Sequence, residues 1–227
     1  MSTNYSIRLE DEELESFAMS DNGEIALPAE VYAPSVGEAV ITCYREVSSA
    51  VRELLDSGAD PLTKSGSAAF DTSLGRIMAS HGFLQPSEER EVIFEYEMTS
   101  PATSGITSAA IMTGDEASRL PAEVSEQSLT SDILCSVTRN GKIVAAAGIN
   151  DITYDGDPEI YVECAPAYRG CGFGSTAAAG LASHFLTSGV QSRIIYCCKE
   201  RNTASVKCAL RAGFTLCARR LPFVFYR

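Results

Sequence analysis

Apolar residues fall at 39, 40, 43, 44, 47, 51, 54 and 55 in the stretch GEAVITCYREVSSAVRELLDS, residues 37–57. That recurrence is helical and predicts an amphipathic helix with one face on a core. Gly58 follows as a C-cap, where glycine takes the left-handed conformation without a Cβ penalty. FDTSLGRIMASHGF, 70–83, predicts a shorter helix with Asp71 or Thr72 near its start. The period then drops to two: EVIFEYEM, 91–98, alternates and predicts a strand. TSPATSGITSA, 99–109, reads as a loop or linker. DEASRLPAEVSEQ, 115–127, reads as a helical piece.

From residue 132 the pattern sharpens. DILCSVTRNGKIVAAAGINDITYD holds two strand-like runs around Asn140-Gly141, a strong hairpin signal. PEIYVECAP, 158–166, is a third strand, and GSTAAAGLASHFLTSG, 174–189, a helix that stops at Gly189. SRIIYCCKE, 192–200, is a nearly continuous apolar strand of the kind buried on both faces. A helix begins after the N-cap residue Asn202 and ends at Gly213. GFTLCARR and PFVFYR make a final strand pair. The order from 132 is therefore β-β-β-α-β-α-β-β.

Composition places these elements in an ordinary water-soluble chain: 227 residues, 45% hydrophobic and 21% charged. No apolar run reaches the roughly 18 residues that span a bilayer. The acidic start, MSTNYSIRLEDEELESF, has no signal-peptide apolar region. The expected location is cytoplasmic. The eight cysteines form no CxxC pair, and His81 and His184 are the only histidines. Neither a metal site nor a disulfide framework is expected; most of the cysteines lie in apolar segments, where they act as small hydrophobes.

Charge is unevenly spread. Residues 164–227 hold nine basic and one acidic residue, a net of +8, whereas residues 1–163 hold nine basic and 29 acidic, a net of −20. A basic last third beside an acidic remainder points to an anion site near the C-terminus.

The stretch AYRGCGFGST, 167–176, supplies such a site. A glycine-rich turn before a helix exposes successive N–H groups. The first helical turn adds unpaired donors and a partial positive charge. Together they form a nest for phosphate oxygens. Gly170, Gly172 and Gly174 let a ligand approach the backbone, and Arg169 adds a charge-assisted contact. No lysine follows, as a P-loop requires. Ser175 and the lack of an acid about 20 residues on depart from the dinucleotide fingerprint.

In its wider context, IYVECAPAYRGCGFGSTAAAGLASHFL resembles the acyl-CoA motif of the GNAT superfamily of acyl-CoA-dependent N-acyltransferases, through Pro166, Arg169, Gly172 and Gly174. Asn202-Thr-Ala-Ser205 followed by Gly213-Phe214 is similar to that family's second element. The resemblance covers about 130–227. It implies an α/β fold (an α+β mixed sheet): a central twisted sheet with flanking helices, preceded here by a mainly helical N-terminal region. Together with the helical patterns of the first half, it suggests two parts: residues 1–100, a mainly helical accessory region ending in a strand and expected to shape the acceptor site, and residues 101–227, the acyl-CoA-binding catalytic domain. The implied activity is N-acyl transfer, with acetyl-CoA as co-substrate and a small-molecule or protein amine as acceptor. Neither nucleic acid nor membrane is an expected partner.

The same resemblance implies site residues. Main-chain groups of Val162, Glu163 and Cys164 would pair with the pantetheine arm. The amides across Gly170, Cys171, Gly172, Phe173, Gly174 and Ser175 would hold the diphosphate, with Arg169 beside them. Asn202 would lie near the pantetheine or phosphate end. An alkyl ammonium with a pKa near 10 is about one-thousandth neutral at pH 7, so supplying the free amine costs about 4 kcal/mol. A carboxylate removes that proton, and Glu159 and Glu163 are the candidate bases. The family's usual acid, a tyrosine seven residues after the Asn, is Ala209 here; Cys208, Tyr196 and Tyr226 are alternatives. Two readings compete with an enzyme: a non-catalytic acyl-CoA sensor or scaffold, and a nucleotide-binding protein.

Overall fold

The computed structural model describes residues 5–10, 17–20, 23–80, 82, 84, 91–102, 108–113, 120–121, 124, 133–153 and 156–226. The chain divides into two compact units, residues 94–217 and residues 1–93 with 218–227.

In the second of these units, β1 (Tyr5–Glu10) pairs in parallel with β4 (Ala39–Tyr44). β4 pairs antiparallel with β3 (Gly23–Pro34). β2 (Phe17–Ser20) joins β3, and so does the chain's last strand, β11 (Thr215–Tyr226), through residues 218–226. Helices α1 (Arg45–Asp56) and α2 (Lys64–Ser80) follow β4. Their core joins Val47 and Val51 to Phe70 and Leu74, and packs with Val31, Ile41, Phe223 and Phe225 from the strands.

This unit corrects four expectations. The N-terminal region is not mainly helical, because four strands precede its helices. The helix expected over 37–57 is two elements. AVITCY, rich in β-branched and aromatic residues, is held as a strand between β1 and β3, and the helix begins only at Arg45. The helix expected at 70–83 starts earlier, after Thr63, whose Oγ1 accepts from Gly66 N at 3.1 Å. Gly58 does end α1 in the left-handed conformation, at φ 83°. The final strand pair is also one strand: β11 runs through Pro222, which sits opposite Glu30, and its register shifts between Phe223 and Phe225. The facing residues there are Ala29 and Ala26, so Pro28, which has no N–H to donate, lies within the irregular stretch of β3.

In the other unit the strand order is β5 (Ile93–Met98), β10 (Ile194–Lys199), β9 (Pro158–Cys164), β8 (Lys142–Ile152), β7 (Ile133–Arg139) and β6 (Ala109–Thr113). β6 to β9 form an antiparallel meander, and β9 and β10 are parallel. Helix α3 (Phe173–Ser188) crosses between β9 and β10, and α4 (Thr203–Ala212) lies between β10 and β11. The hairpin at Asn140-Gly141 has both residues at positive φ, 52° and 75°. The residues expected in a helix at 115–127 lie outside the described residues, apart from Leu120, Pro121 and Val124. So does much of the expected loop at 99–109, whose last residue begins β6.

One face of this sheet packs Ala145, Ala147, Ile160, Ile194 and Tyr196 against Ala177, Ala178 and Leu181 of α3. The run of alanines on α3 gives a thin helix that lies close on the sheet. At the start of β10, Arg193 donates to Glu97 at 2.7 Å and to Asp157 at 2.9 Å, with Glu95 at 3.5 Å.

Candidate active site

β9 and β10 run side by side only at their beginnings. Their register is confined to Ile195 opposite Glu159, and β9 continues to Cys164 along β8 alone. The main chain of β9 shows what this edge offers. Ala165 N donates to the directly opposite Val144 O at 3.0 Å. Bonded and non-bonded pairs alternate along an antiparallel ladder. Glu163 and Tyr161 therefore turn their N–H and C=O toward β8, and Val162 and Cys164 turn theirs away from it. Arg169 Nε takes Cys164 O at 3.1 Å. The groups left along the edge are Val162 N–H and C=O and Cys164 N–H, a short strand edge that an extended ligand would complete.

Beyond Cys164 the chain makes one turn of 3-10 helix at Pro166–Tyr168 and enters the glycine turn. Arg169 N donates to Pro166 O and Cys171 N to Tyr168 O; Thr176 N returns to Gly172 O at 3.1 Å as the first bond of α3. Among the described residues, no protein acceptor meets the N–H groups of Gly170, Gly172, Phe173 or Ser175. Gly174 N–H is directed at Cys164 Sγ, so it is partly engaged. Gly170 and Gly172 sit at φ 78° and 90°, a region that disfavours side chains. A Cβ on Gly170 would meet nothing within 4 Å, so that side of the turn is open. Gly174 is bare for another reason: its Cβ would lie 3.1 Å from Val162 Cγ1 and 3.6 Å from Cys208 Sγ. It seats α3 on β9 and beside α4. The turn thus fits an anionic diphosphate, with unpaired amides at a helix start and the exposed Arg169 beside them.

Asn202 caps α4, its Oδ1 accepting from Ser205 N at 3.1 Å. Ala209, at the position where the sequence resemblance leads one to expect a tyrosine, is fully buried and offers no proton. Its neighbour Cys208 instead meets the Tyr196 phenol, which also hydrogen-bonds with Ser205. Burial pushes both Tyr196 and Cys208 up, so each stays protonated. Cys164, beside Gly174, is also raised, mainly by burial, with Arg169 pulling the other way. Cys171 is exposed on the turn, and His184 is exposed on α3.

The strand face separates the remaining candidates. Ile160, Val162 and Cys164 pack toward α3. Glu159, Tyr161 and Glu163 alternate onto the opposite face, where Ala146, the register partner of Glu163, packs with Val124 and Ala165. The two carboxylates therefore share a face, separated from the α3 side by the sheet itself. Sequence reasoning missed Tyr161 and its partner Gly148 on this face, because a cross-strand pair is invisible without the register. Among the described residues no cluster of three or more metal-ligating side chains occurs, and no helix is long and apolar enough to cross a membrane.

Comparison with known proteins supplies the family. The chain is similar to a GNAT-family acetyltransferase from Colwellia psychrerythraea, at 16% identity over 66% of this chain and 62% of that one, with a TM-score of 0.47. It is also similar to a GCN5-related N-acetyltransferase from Kribbella flavida, at 15% identity over 67% and 63%, with a TM-score of 0.49. A tandem GNAT protein from the clavulanic acid biosynthesis pathway matches at 13% identity over 74% and 58%, with a TM-score of 0.44. The matched region spans about three-fifths of those chains. No curated protein matches the chain. The model of the Acetyltransferase (GNAT) domain matches residues 85–215, more than half of the sequence and all of the strand, turn and helices just described. This chain belongs to the GNAT acetyltransferase family.

Proposed function

We propose that the protein transfers an acyl group, acetyl foremost, from acyl-CoA to an amine by direct attack of the amine on the thioester, with the chemistry carried by residues 101–227. The observation that carries the reading is the continuity of two unpaired features within the matched domain. The free main-chain edge at Val162 and Cys164 leads through one turn of chain to the unpaired amides of Gly170, Gly172, Phe173 and Ser175. The first suits an extended pantetheine arm and the second a diphosphate. An acyl-CoA bound there supplies the activated thioester.

The chain's own residues do the rest. Val162 and Cys164 fix the arm by main-chain hydrogen bonds, and the turn amides with Arg169 fix the charged end. Glu159 or Glu163 takes a proton from the incoming ammonium, directly or through water. The −20 balance of residues 1–163 draws cationic acceptors. With Ala209 in place of a phenol, water meets the proton demand of the departing thiolate, whose conjugate pKa is only about 8.5.

The test is a coupled assay of thiol release from acetyl-CoA over a panel of amines. Amine-dependent release is the expected result. Tight CoA binding without release for any amine would move the protein to the sensor class, the alternative that Ala209 leaves open.

A further inference from the structure

Cys164 and Cys171 stand at the two ends of the segment that leads from β9 into the glycine turn. Val162 and Cys164 face α3 from β9, and same-face residues of a strand follow each other at about 7 Å. Gly174 covers Val162, so Cys164 lies one step further along, beside the residues that lead into α3. Two contacts hold it there: Gly174 N–H is directed at Cys164 Sγ, and Arg169 Nε donates to Cys164 O at 3.1 Å. The turn thereby folds back on the Cys164 thiol and brings Cys171 into its neighbourhood. Burial raises this thiol, Arg169 lowers it and a charge on Cys171 raises it, so both groups lie within reach of its field. Cys208 is on the inner side, 3.6 Å from a Cβ on Gly174, and its thiol is engaged by the Tyr196 phenol. Cys171 is on the outer side and exposed, whereas Cys164 is half-buried. An accessible thiol with a second thiol behind it, in an electropositive corner, is the arrangement that reversible oxidation uses.

We propose that Cys171 and Cys164 are an oxidation site: a two-electron oxidant, hydrogen peroxide, joins them in a disulfide that closes the turn to acyl-CoA. The inference rests on the acyl-CoA reading of that turn. The Cys171 thiolate attacks one peroxide oxygen; the O–O bond breaks, and the departing hydroxide takes a proton to become water. The sulfur, now oxidised, is a sulfenic acid. The Cys164 thiol attacks that sulfur, the S–S bond forms, and the S–OH oxygen leaves as a second water with the Cys164 proton. Two thiols and one peroxide thus give one disulfide and two waters. The bridge requires Cβ atoms about 4 Å apart. Cys171 is therefore drawn in toward β9, and the neighbouring amides of Gly170, Gly172 and Phe173 move with it, away from the arrangement that suits a diphosphate. Ligand and bridge compete for the same turn, so bound CoA in its reduced state protects the thiols.

The experiment takes the full chain, reduced and then exposed to hydrogen peroxide, with and without CoA. Trypsin cuts after Arg169, so Cys164 falls alone in peptide 143–169 and Cys171 alone in peptide 170–193. Mass spectrometry is expected to find these two peptides joined, and dithiothreitol to separate them. Calorimetry is expected to show CoA affinity lowered about tenfold or more in the oxidised protein, the worth of one or two turn amides, and restored by dithiothreitol. CoA present during oxidation is expected to slow the joining several-fold. In Cys171→Ser the joined pair and the effect of peroxide on CoA affinity are both expected to vanish, measured against that variant's own reduced form. In Cys164→Ser, Cys171 is expected to stop at the sulfenic acid, trapped by dimedone. No bridge, a bridge from Cys164 to Cys208 instead, or a bridge that leaves CoA affinity unchanged would overturn the proposal. A reduced wild type that binds no CoA would overturn the acyl-CoA reading, and the joined peptides would still decide whether the thiol pair exists.

Discussion

Gly174 on α3 faces Val162 on β9 so closely that a Cβ would sit 3.1 Å from Val162 Cγ1. The helix that presents the turn amides thus rests directly on the strand that presents the free edge. Gly174→Ala would gain about 1 kcal/mol of helix propensity, but it must push aside a valine held by the α3-facing core. Overpacking of that kind costs typically 1–3 kcal/mol. The net expectation is a loss of roughly 1 kcal/mol, read as a lower Tm, with weaker CoA affinity because the helix start shifts away from β9. A neutral or raised Tm would show that Val162 yields freely.

The turn itself answers to charge and backbone shape. Arg169→Ala combined with Gly172→Ala is expected to weaken CoA binding by several-fold or more, read by calorimetry. The first removes the exposed guanidinium, and the second places a Cβ at φ 90°, at a strain cost of about 1–2 kcal/mol. Arg169→Lys separates the two jobs of this side chain: it keeps a charge near the turn but loses the Nε contact to Cys164 O. Unchanged affinity in the double variant would take the turn out of the site.

Glu159 and Glu163 share the face away from α3, so either can meet the amine without touching the diphosphate turn. Glu159→Gln or Glu163→Gln is expected to lower kcat at least tenfold, the low end for loss of a general base being about a hundredfold when no water substitutes. CoA affinity is expected to change little. Full turnover in both variants would place the base elsewhere.

Stability is expected to fall at alkaline pH. Cys135 and Cys198 are pushed up from the ordinary thiol value of 9.0 to about 11 by burial, with Cys208 adding to the effect at Cys198. The folded protein then holds protons that the unfolded chain has released. The stability these thiols contribute is whole below pH 9 and drains away as pH rises through about 11. Thermal melts across pH 8–11 check this, and Cys135→Ala is expected to flatten the decline. A Tm that stays level to pH 11 would contradict it.

Much of the candidate site's local geometry was legible because its signals are local. Gly170 and Gly172 need positive φ, Asn202 needs to cap, and Asn140-Gly141 needs a tight hairpin; each demand is met within a few residues of chain. The N-terminal strands were not legible for the opposite reason. β1 finds its partner 34 residues later, and β3 finds β11 near residue 220, so helical spacing in AVITCY had no visible competitor. Gly174 looked like its two neighbouring glycines, yet the fold also needs it bare, to seat α3 against Val162. Tyr161 over Gly148 depended on a register that no single strand encodes.

Arg193 and Asp157 stand just before β10 and β9, and the guanidinium holds Asp157 together with Glu95 and Glu97 of β5. One side chain therefore rivets the narrow end of the wedge between the two diverging strands. A guest threading into that wedge finds its apex fixed and can be accommodated only by give at the wide end, where α3 begins. If an acyl-CoA arm enters that wedge as proposed, the Arg193 cluster resists opening at the root, so a longer acyl chain draws its room from side chains along β9.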